Sequence, residues 1–353
     1  MLKLEIKPYN LDFKFHARTS RGEIDQRKVW FIKVSDESGK SGLGEVAPID
    51  RLSPEAVEDV PDKLEELARV LKRLNAPETK EDAFKLAQQC IPIQYPSLRF
   101  GLETALLDLV AEGQKNFFNN NLQELSIPIN GLVWMGDIAF MKEQIATKLD
   151  EGFSCIKLKI GALDFDAEVK VIKELRSVSE ELVIRLDANG AFQTNEVLSK
   201  LKVLSKYDIH SIEQPILPMQ PEAMEIVCSK SQIPIAFDEE LIHVFSSRDR
   251  MELIQELKPH YLVLKPTLHG GLGTVSEWID LAEMHSVGWW ITSYLESNIG
   301  LNAIAQFTSL YENQEYHGLG TGGLYTNNIK SPIKIEEGKL TYAASEVWED
   351  IDF

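Results

Sequence analysis

Lys159, Asp187, Glu213, Asp238 and Lys265 are spaced at nearly even intervals: 28 residues from 159 to 187, then 26, 25 and 27 to positions 213, 238 and 265. Each closes a short apolar run. Three carboxylates brought together this way repel unless a cation lies among them. Hard oxygen donors suit Mg²⁺, with Mn²⁺ as a substitute. No histidine or cysteine falls in register with them, which disfavours zinc. The alternative is a buried salt-bridge network between the three acids and the lysines. Asn189, two residues past Asp187, and Glu239, beside Asp238, are placed to support the ligands.

The lysines call for a different chemistry. Residues 154–161 read Ser-Cys-Ile-Lys-Leu-Lys-Ile-Gly. In a strand, Ile156, Leu158 and Ile160 face one side and Cys155, Lys157 and Lys159 the other, with the lysines about 7 Å apart. Lysine is rarely buried without a partner. An amine beside a second ammonium and a divalent cation is more readily neutral. A neutral lysine next to a Lewis acid can remove a proton α to a carboxylate.

The spacing equals one strand–helix unit. Apolar runs at 127–131, 155–160, 183–188, 210–214, 233–238, 261–265, 289–293 and 316–320 alternate with amphipathic stretches. The stripes are Phe165, Val169, Ile172 and Leu175; Val197, Leu198, Leu201 and Leu204, capped by Thr194; and Val275, Trp278, Ile279 and Ala282. This predicts an α/β closed barrel over residues 126–330, with its chemistry at the C-terminal strand ends. A doubly wound open sheet is the alternative. Residues 1–125 read as an α+β unit: strands at 1–14, 28–35 and 41–46, a basic loop at 18–22, and helices over 53–74, 81–90 and from 97. Ser53-Pro54 is the expected start of the first helix. The acidic tail, 331–353, is expected to fold back on that unit.

Composition limits the partners. The chain has 353 residues and a formal net charge of −18, which opposes nucleic acid and anionic membrane surfaces. No apolar run is long enough to span a bilayer, and the start does not read as a signal peptide. Cys90, Cys155 and Cys228 are far apart and form no C-x-x-C pair. A cytoplasmic protein acting on a small molecule is expected. Gly318, Gly320 and Gly323 spell G-x-G-x-x-G, but no βαβ unit follows, so no nicotinamide cofactor is expected.

Lys157-x-Lys159, Asp187-x-Asn189, Glu213-Gln-Pro, Asp238-Glu239 and Lys265, in this order, resemble the muconate-lactonising subgroup of the enolase superfamily. The resemblance covers nearly the whole chain. It implies a (β/α)₇β barrel with an N-terminal capping domain, and Mg²⁺ held by Asp187, Glu213 and Asp238 during α-proton abstraction. Residues 293–300 (Ser-Tyr-Leu-Glu-Ser-Asn-Ile-Gly) resemble the signature of the subgroup's o-succinylbenzoate synthase branch. That branch implies dehydration of 2-succinyl-6-hydroxy-2,4-cyclohexadiene-1-carboxylate in menaquinone biosynthesis. Lys159 is then the base, Lys157 tunes it, and Lys265 covers the opposite face and steadies the planar anion. Ser293, Glu296 and Ser297 are expected to help hold a carboxylate, and Arg18 or Arg21 to meet one from the capping loop. Gly320 is expected to leave room for a bulky ring. The alternatives are an N-acylamino acid racemase, using both lysines, a dipeptide epimerase, and a catalytically silent barrel. The strand-eight stretch lacks the acids that a dipeptide ammonium wants. A homo-oligomer is compatible with the resemblance.

Overall fold

The computed structural model describes residues 1–19, 22–118, 121–343 and 345–353. Its first unit is an antiparallel sheet of β1 (Lys3–Thr19), β2 (Gly22–Ser35) and β3 (Ser41–Val46), in that order. Three helices follow: α1 (Val60–Leu71), α2 (Lys80–Cys90) and α3 (Pro96–Val110). The alternation in Gly42-Leu43-Gly44-Glu45-Val46 explains how β3 docks. Gly42, Gly44 and Val46 turn to α3, and the absence of side chains lets the two backbones touch. A Cβ on Gly42 would lie 2.1 Å from the Leu109 nitrogen, and one on Gly44 2.1 Å from the Gly101 oxygen.

Two local expectations are corrected here. Ser53-Pro54 does not open a helix. The Ser53 hydroxyl instead accepts from the Ile49 N–H at 2.9 Å, and α1 starts at Val60 with Pro61 in its first turn. The strands β1 and β2 also run further than expected, carrying Arg18 opposite Glu23 and Thr19 opposite Gly22.

The second unit begins with β4 (Ser126–Pro128), β5 (Gly131–Val133) and α4 (Ile138–Asp150). Strand and helix then alternate: β6 (Cys155–Lys159), α5 (Phe165–Val178), β7 (Val183–Asp187), α6 (Val197–Leu204), β8 (Ser211–Glu213), α7 (Pro221–Lys230), β9 (Ile235–Phe237) and α8 (Ser247–Leu257). The series ends with β10 (Tyr261–Leu264), α9 (Pro266–His269), α10 (Gly271–Met284), β11 (Gly288–Ile291) and α11 (Asn298–Thr308). Strands β5 to β11 form one parallel sheet in sequence order. Parallel bridges from His317 to Ile129 and from Gly318 to Thr292 close its two edges, so residues 317–318 occupy the eighth position without forming a continuous strand. The α/β barrel is as expected, and the open sheet is not formed.

The expected first barrel strand, 127–131, is divided. Ile127 pairs antiparallel with Leu340 in the C-terminal hairpin of β12 (Ile333–Glu336) and β13 (Lys339–Tyr342), and only from Gly131 does the chain join β6. Thr194 does not cap α6, whose cap position is Glu196 with no side-chain bond. Further on, Trp348 and Ile351 pack against the cluster of Leu11, Val29 and Phe31. Among the described residues, no helix is long and apolar enough to cross a membrane.

Candidate active site

Strand register assembles the site. Lys159 on β6 stands opposite Asp187 on β7, and Asp187 opposite Glu213 on β8. Glu213 stands opposite Ala236 on β9, so Asp238, two residues on, continues the same face toward the barrel mouth. Lys265 follows β10 directly. The acid-bearing strands β7, β8 and β9 therefore lie between the lysine-bearing strands β6 and β10.

The side chains converge as the spacing predicts. Lys157 Nζ lies 2.6 Å from Glu213 and 3.0 Å from Asp187. Lys159 Nζ lies 3.0 Å from Asp187 and 2.8 Å from Asn189 Oδ1. The Lys265 ammonium donates to both oxygens of Asp238. Among the described residues, no three His, Cys, Asp or Glu side chains are placed to share one ion, and ammonium groups contact Asp187, Glu213 and Asp238. Glu213 Oε1 is nonetheless buried without a hydrogen-bond partner, as is Glu239 Oε2.

Burial works against every charge here, and the neighbours decide the outcome. For Lys157, Asp187 and Glu213 outweigh burial and raise its pKa above the usual lysine range. For Asp187, Lys157 and Lys159 outweigh burial and hold the carboxyl below the usual range. Glu213 goes the other way: burial and then the Asp187 charge push it well above an ordinary carboxylate. Burial, with Asp238 and Asp187, pushes Glu239 up to about 7. Asn189 links the two groups, donating to Glu239 at 2.9 Å while its backbone N–H donates to Asp187 at 3.1 Å.

Gln214 is a positioning residue that its sequence context did not reveal. It is fully buried, and its Oε1 accepts from the N–H groups of Asp238 at 3.3 Å and Glu240 at 3.0 Å. Its amide nitrogen donates to Ile216 O and Glu240. It ties the end of β8 to the end of β9. Its φ of 41°, like the 42° of Asn189, lies in the left-handed region that residues other than glycine seldom adopt.

The wall after β11 differs from expectation. Ser293 and Gly320 line the cavity, as do Gly318 and Thr321. Glu296 and Ser297 do not: both are fully buried. Glu296 accepts from the hydroxyls of Ser293 and Thr267 and from the Tyr294 N–H. Ser297 caps α11 and donates to Glu45 of β3 at 2.6 Å. Their polar atoms are committed to other protein groups, so they shape the wall and do not face a ligand. Of the expected cationic capping loop, Arg21 lies outside the described residues, as does the side chain of Arg18.

A cavity of about 2340 Å³ runs between the capping sheet and the barrel. The capping side contributes Lys14, Phe15, Arg27, Lys28 and Arg51, and the barrel side contributes Lys157, Lys159, Asp187, Asp238 and Lys265. The capping side thus sets Lys14, Lys28 and Arg51, with Asp50 among them, opposite the lysines and acids of the barrel.

Lysines flanking strand-end acids in a capped β/α barrel are groups that could remove a proton from a carbon beside a carboxylate. The enolase C-terminal domain-like family model matches residues 141–345, and the chain belongs to the enolase superfamily. Within that superfamily, it is 41% identical to the o-succinylbenzoate synthase of Desulfotalea psychrophila over 367 residues, covering 96% of this chain and 98% of that protein. The crystal structure of MenC from that organism superposes with a TM-score of 0.87 at 38% identity, covering 96% of this chain and 99% of that one. The muconate lactonising enzyme of Pseudomonas fluorescens superposes with a TM-score of 0.86 at 21% identity, covering 99% and 96%, a likeness of fold alone.

Proposed function

We propose that this chain is an o-succinylbenzoate synthase, a lyase that dehydrates 2-succinyl-6-hydroxy-2,4-cyclohexadiene-1-carboxylate to 2-succinylbenzoate in menaquinone biosynthesis. The observation that carries the chemistry is the sheet order, with three acid-bearing strands between two lysine-bearing ones. The 41% identical relative, an o-succinylbenzoate synthase, supports the choice of product. Asp187, Glu213 and Asp238 would hold Mg²⁺. Their hard oxygens and the partnerless Glu213 Oε1 fit that ion. When bound, it stabilises the negative charge that develops on the substrate carboxylate.

Lys159 removes the proton from C1, the carbon that bears the carboxylate. The electron pair moves into the ring as the C6–O bond breaks. Lys159 then returns its proton to the leaving hydroxyl, which departs as water and leaves the aromatic product. Lys157 stays protonated between Asp187 and Glu213 and fixes both. Lys265 faces the ring from the other side. Aromatisation drives the step, so positioning and charge stabilisation are what the protein must add. A cytoplasmic setting suits three free thiols.

Racemisation of N-succinylamino acids is the second reading, because Lys159 and Lys265 flank the site from opposite strands. A dipeptide epimerase fits less well: the wall of Thr292, Ser293, Gly318, Gly320 and Thr321 carries no acid for an ammonium. The test is to supply the cyclohexadiene carboxylate with Mg²⁺ and follow the aromatic product by absorbance. Efficient conversion is expected. No conversion, with rapid racemisation of N-succinylamino acids, would overturn the assignment.

A further inference from the structure

The turn at residues 293–295 lines the cavity, and besides its own unit it is braced from the capping unit by Arg27 and, through the start of α11, by Glu45. The strand β3 fixes the direction of Glu45. Gly42 and Gly44 are pressed on the α3 backbone, so the alternate side chain, Glu45, points to the barrel. There its carboxylate accepts from the Ser297 N–H at 2.8 Å, the Ser297 hydroxyl at 2.6 Å and the Gly300 N–H at 2.9 Å. These groups open α11, immediately after the turn. Gly300 suits this approach, since a Cβ there would lie 2.8 Å from the Glu296 Cβ and 3.1 Å from Glu45 Oε2.

Glu296 carries the constraint from the helix start to the cavity. It lies beside Ser297 and takes the Tyr294 N–H at 2.7 Å together with the Ser293 hydroxyl. Thr321 donates to the Ser293 oxygen at 2.6 Å, bringing in the strand-eight wall. Leu295, at φ 61°, makes the reversal between the two. Arg27 of β2 adds a second grip, donating to Tyr294 O at 3.5 Å and to the carbonyls of Ala47 and Pro48.

We propose that Glu45 is a positioning residue for substrate selection: through Ser297 and Glu296 it sets the cavity-lining turn at residues 293–295. Glu45 itself is fully buried and does not reach the cavity. Its loss therefore weakens substrate fit and leaves proton transfer at Lys159 largely intact.

The test uses the full chain with Glu45→Ala, Glu45→Gln and Ser297→Ala. Hydrogen exchange followed by mass spectrometry reports the turn without any substrate. In Glu45→Ala, the amides of residues 294–300 should exchange at least about tenfold faster while β6 to β8 keep their protection. Glu45→Gln, which keeps an acceptor, should restore most of it. The kinetic arm rests on the proposed dehydration: Glu45→Ala should raise KM about tenfold or more, with kcat changed less than about threefold. Should Glu45→Ala not fold, Ser297→Ala removes one bond of the three and should show the same split at smaller size. Unchanged exchange in the turn, or a fall in kcat at unchanged KM, would overturn the proposal. A wild-type chain that turns over no cyclohexadiene carboxylate would sink the assigned reaction instead, leaving the exchange result to judge Glu45.

Discussion

Replacing each of the two β6 lysines by methionine separates their roles. The Lys157 ammonium bridges two almost wholly buried carboxylates, Asp187 and Glu213, while Lys159 contacts only the first. Lys157→Met removes the donor shared by two buried carboxyl groups, and leaving such groups short of a partner costs about 1–3 kcal/mol. At roughly 2 °C per kcal/mol for a chain of this size, the metal-free Tm should fall by about 2–6 °C. Lys159→Met is milder, because Asp187 keeps Lys157 at 3.0 Å; a loss of about 1 kcal/mol is expected. Activity should run the other way. Lys159→Met removes the group that both takes and returns the proton, a loss of about 10⁴-fold in kcat. Mg²⁺ at 100 times its Kd stabilises a folded site by about 2.7 kcal/mol, and should recover part of the Lys157→Met loss. Differential scanning fluorimetry with and without Mg²⁺, alongside the absorbance assay, reads both quantities. Equal Tm losses in the two variants, or near-normal turnover in Lys159→Met, would refute the division of roles.

Chelation with EDTA should abolish turnover, and Mg²⁺ should restore it; Glu213→Gln should weaken Mn²⁺ binding at least about tenfold by electron paramagnetic resonance. Burial pushes Glu103 up to about 8 and Glu45 up to about 7, from 4.5. Both carboxyls bind a proton more tightly in the folded state, so their stabilising share is whole below pH 4.5 and is lost as pH rises through 7 and 8. Buried His269 and His317, pushed down to about 3 and 4, act with the opposite sign below pH 6.5. Urea melts between pH 6.5 and 8.5 should therefore show falling stability, with a shallower fall in Glu103→Gln; a flat profile would contradict the assignment. Gly42→Ala, whose Cβ would meet backbone atoms of Leu109 and Ala105 at 2.1 and 2.2 Å, should cost about 3 kcal/mol in urea unfolding by forcing β3 off α3.

The clustering of the lysines and acids was legible because strand geometry leaves little freedom. Alternation put Lys157 and Lys159 on one face, and equal spacing put Asp187 and Glu213 at paired positions. What stayed hidden depended on partners far off in the chain. Glu296 and Ser297 had the types of ligand-binding residues, but a left-handed Leu295 turns them inward, and Glu45 arrives from 252 positions away to take Ser297. The stretch 127–131 looked like one strand, yet Ile127 belongs to a hairpin more than two hundred residues downstream, which local pattern cannot show. Ser53-Pro54 carried a helix-start signature, but its hydroxyl serves the 49–53 loop and meets the Tyr294 hydroxyl at 3.2 Å. Gln214 was visible only as a neighbour of Glu213, because its clamp on Asp238 exists only once β8 and β9 are side by side.

The attachment points of the capping unit suggest how selectivity and chemistry stay separate. Glu45 takes the first N–H groups of α11, and Glu103 of α3 takes those of Leu272 and Gly273 in α10. Both side chains are wholly buried and accept N–H groups that open these two helices. They hold the units that follow β10 and β11, which carry Lys265 and the 293–295 turn. Lys159, Asp187 and Glu213 are fixed instead by strand register within β6, β7 and β8. A change at Glu45 would therefore re-aim the 293–295 wall, and one at Glu103 the unit that carries Lys265, against side chains placed by strand register in the barrel. On this division, substitutions of Glu45 should change substrate fit more than turnover, and substitutions at the ends of β6 to β8 should change turnover more than fit, as a KM-against-kcat comparison would show.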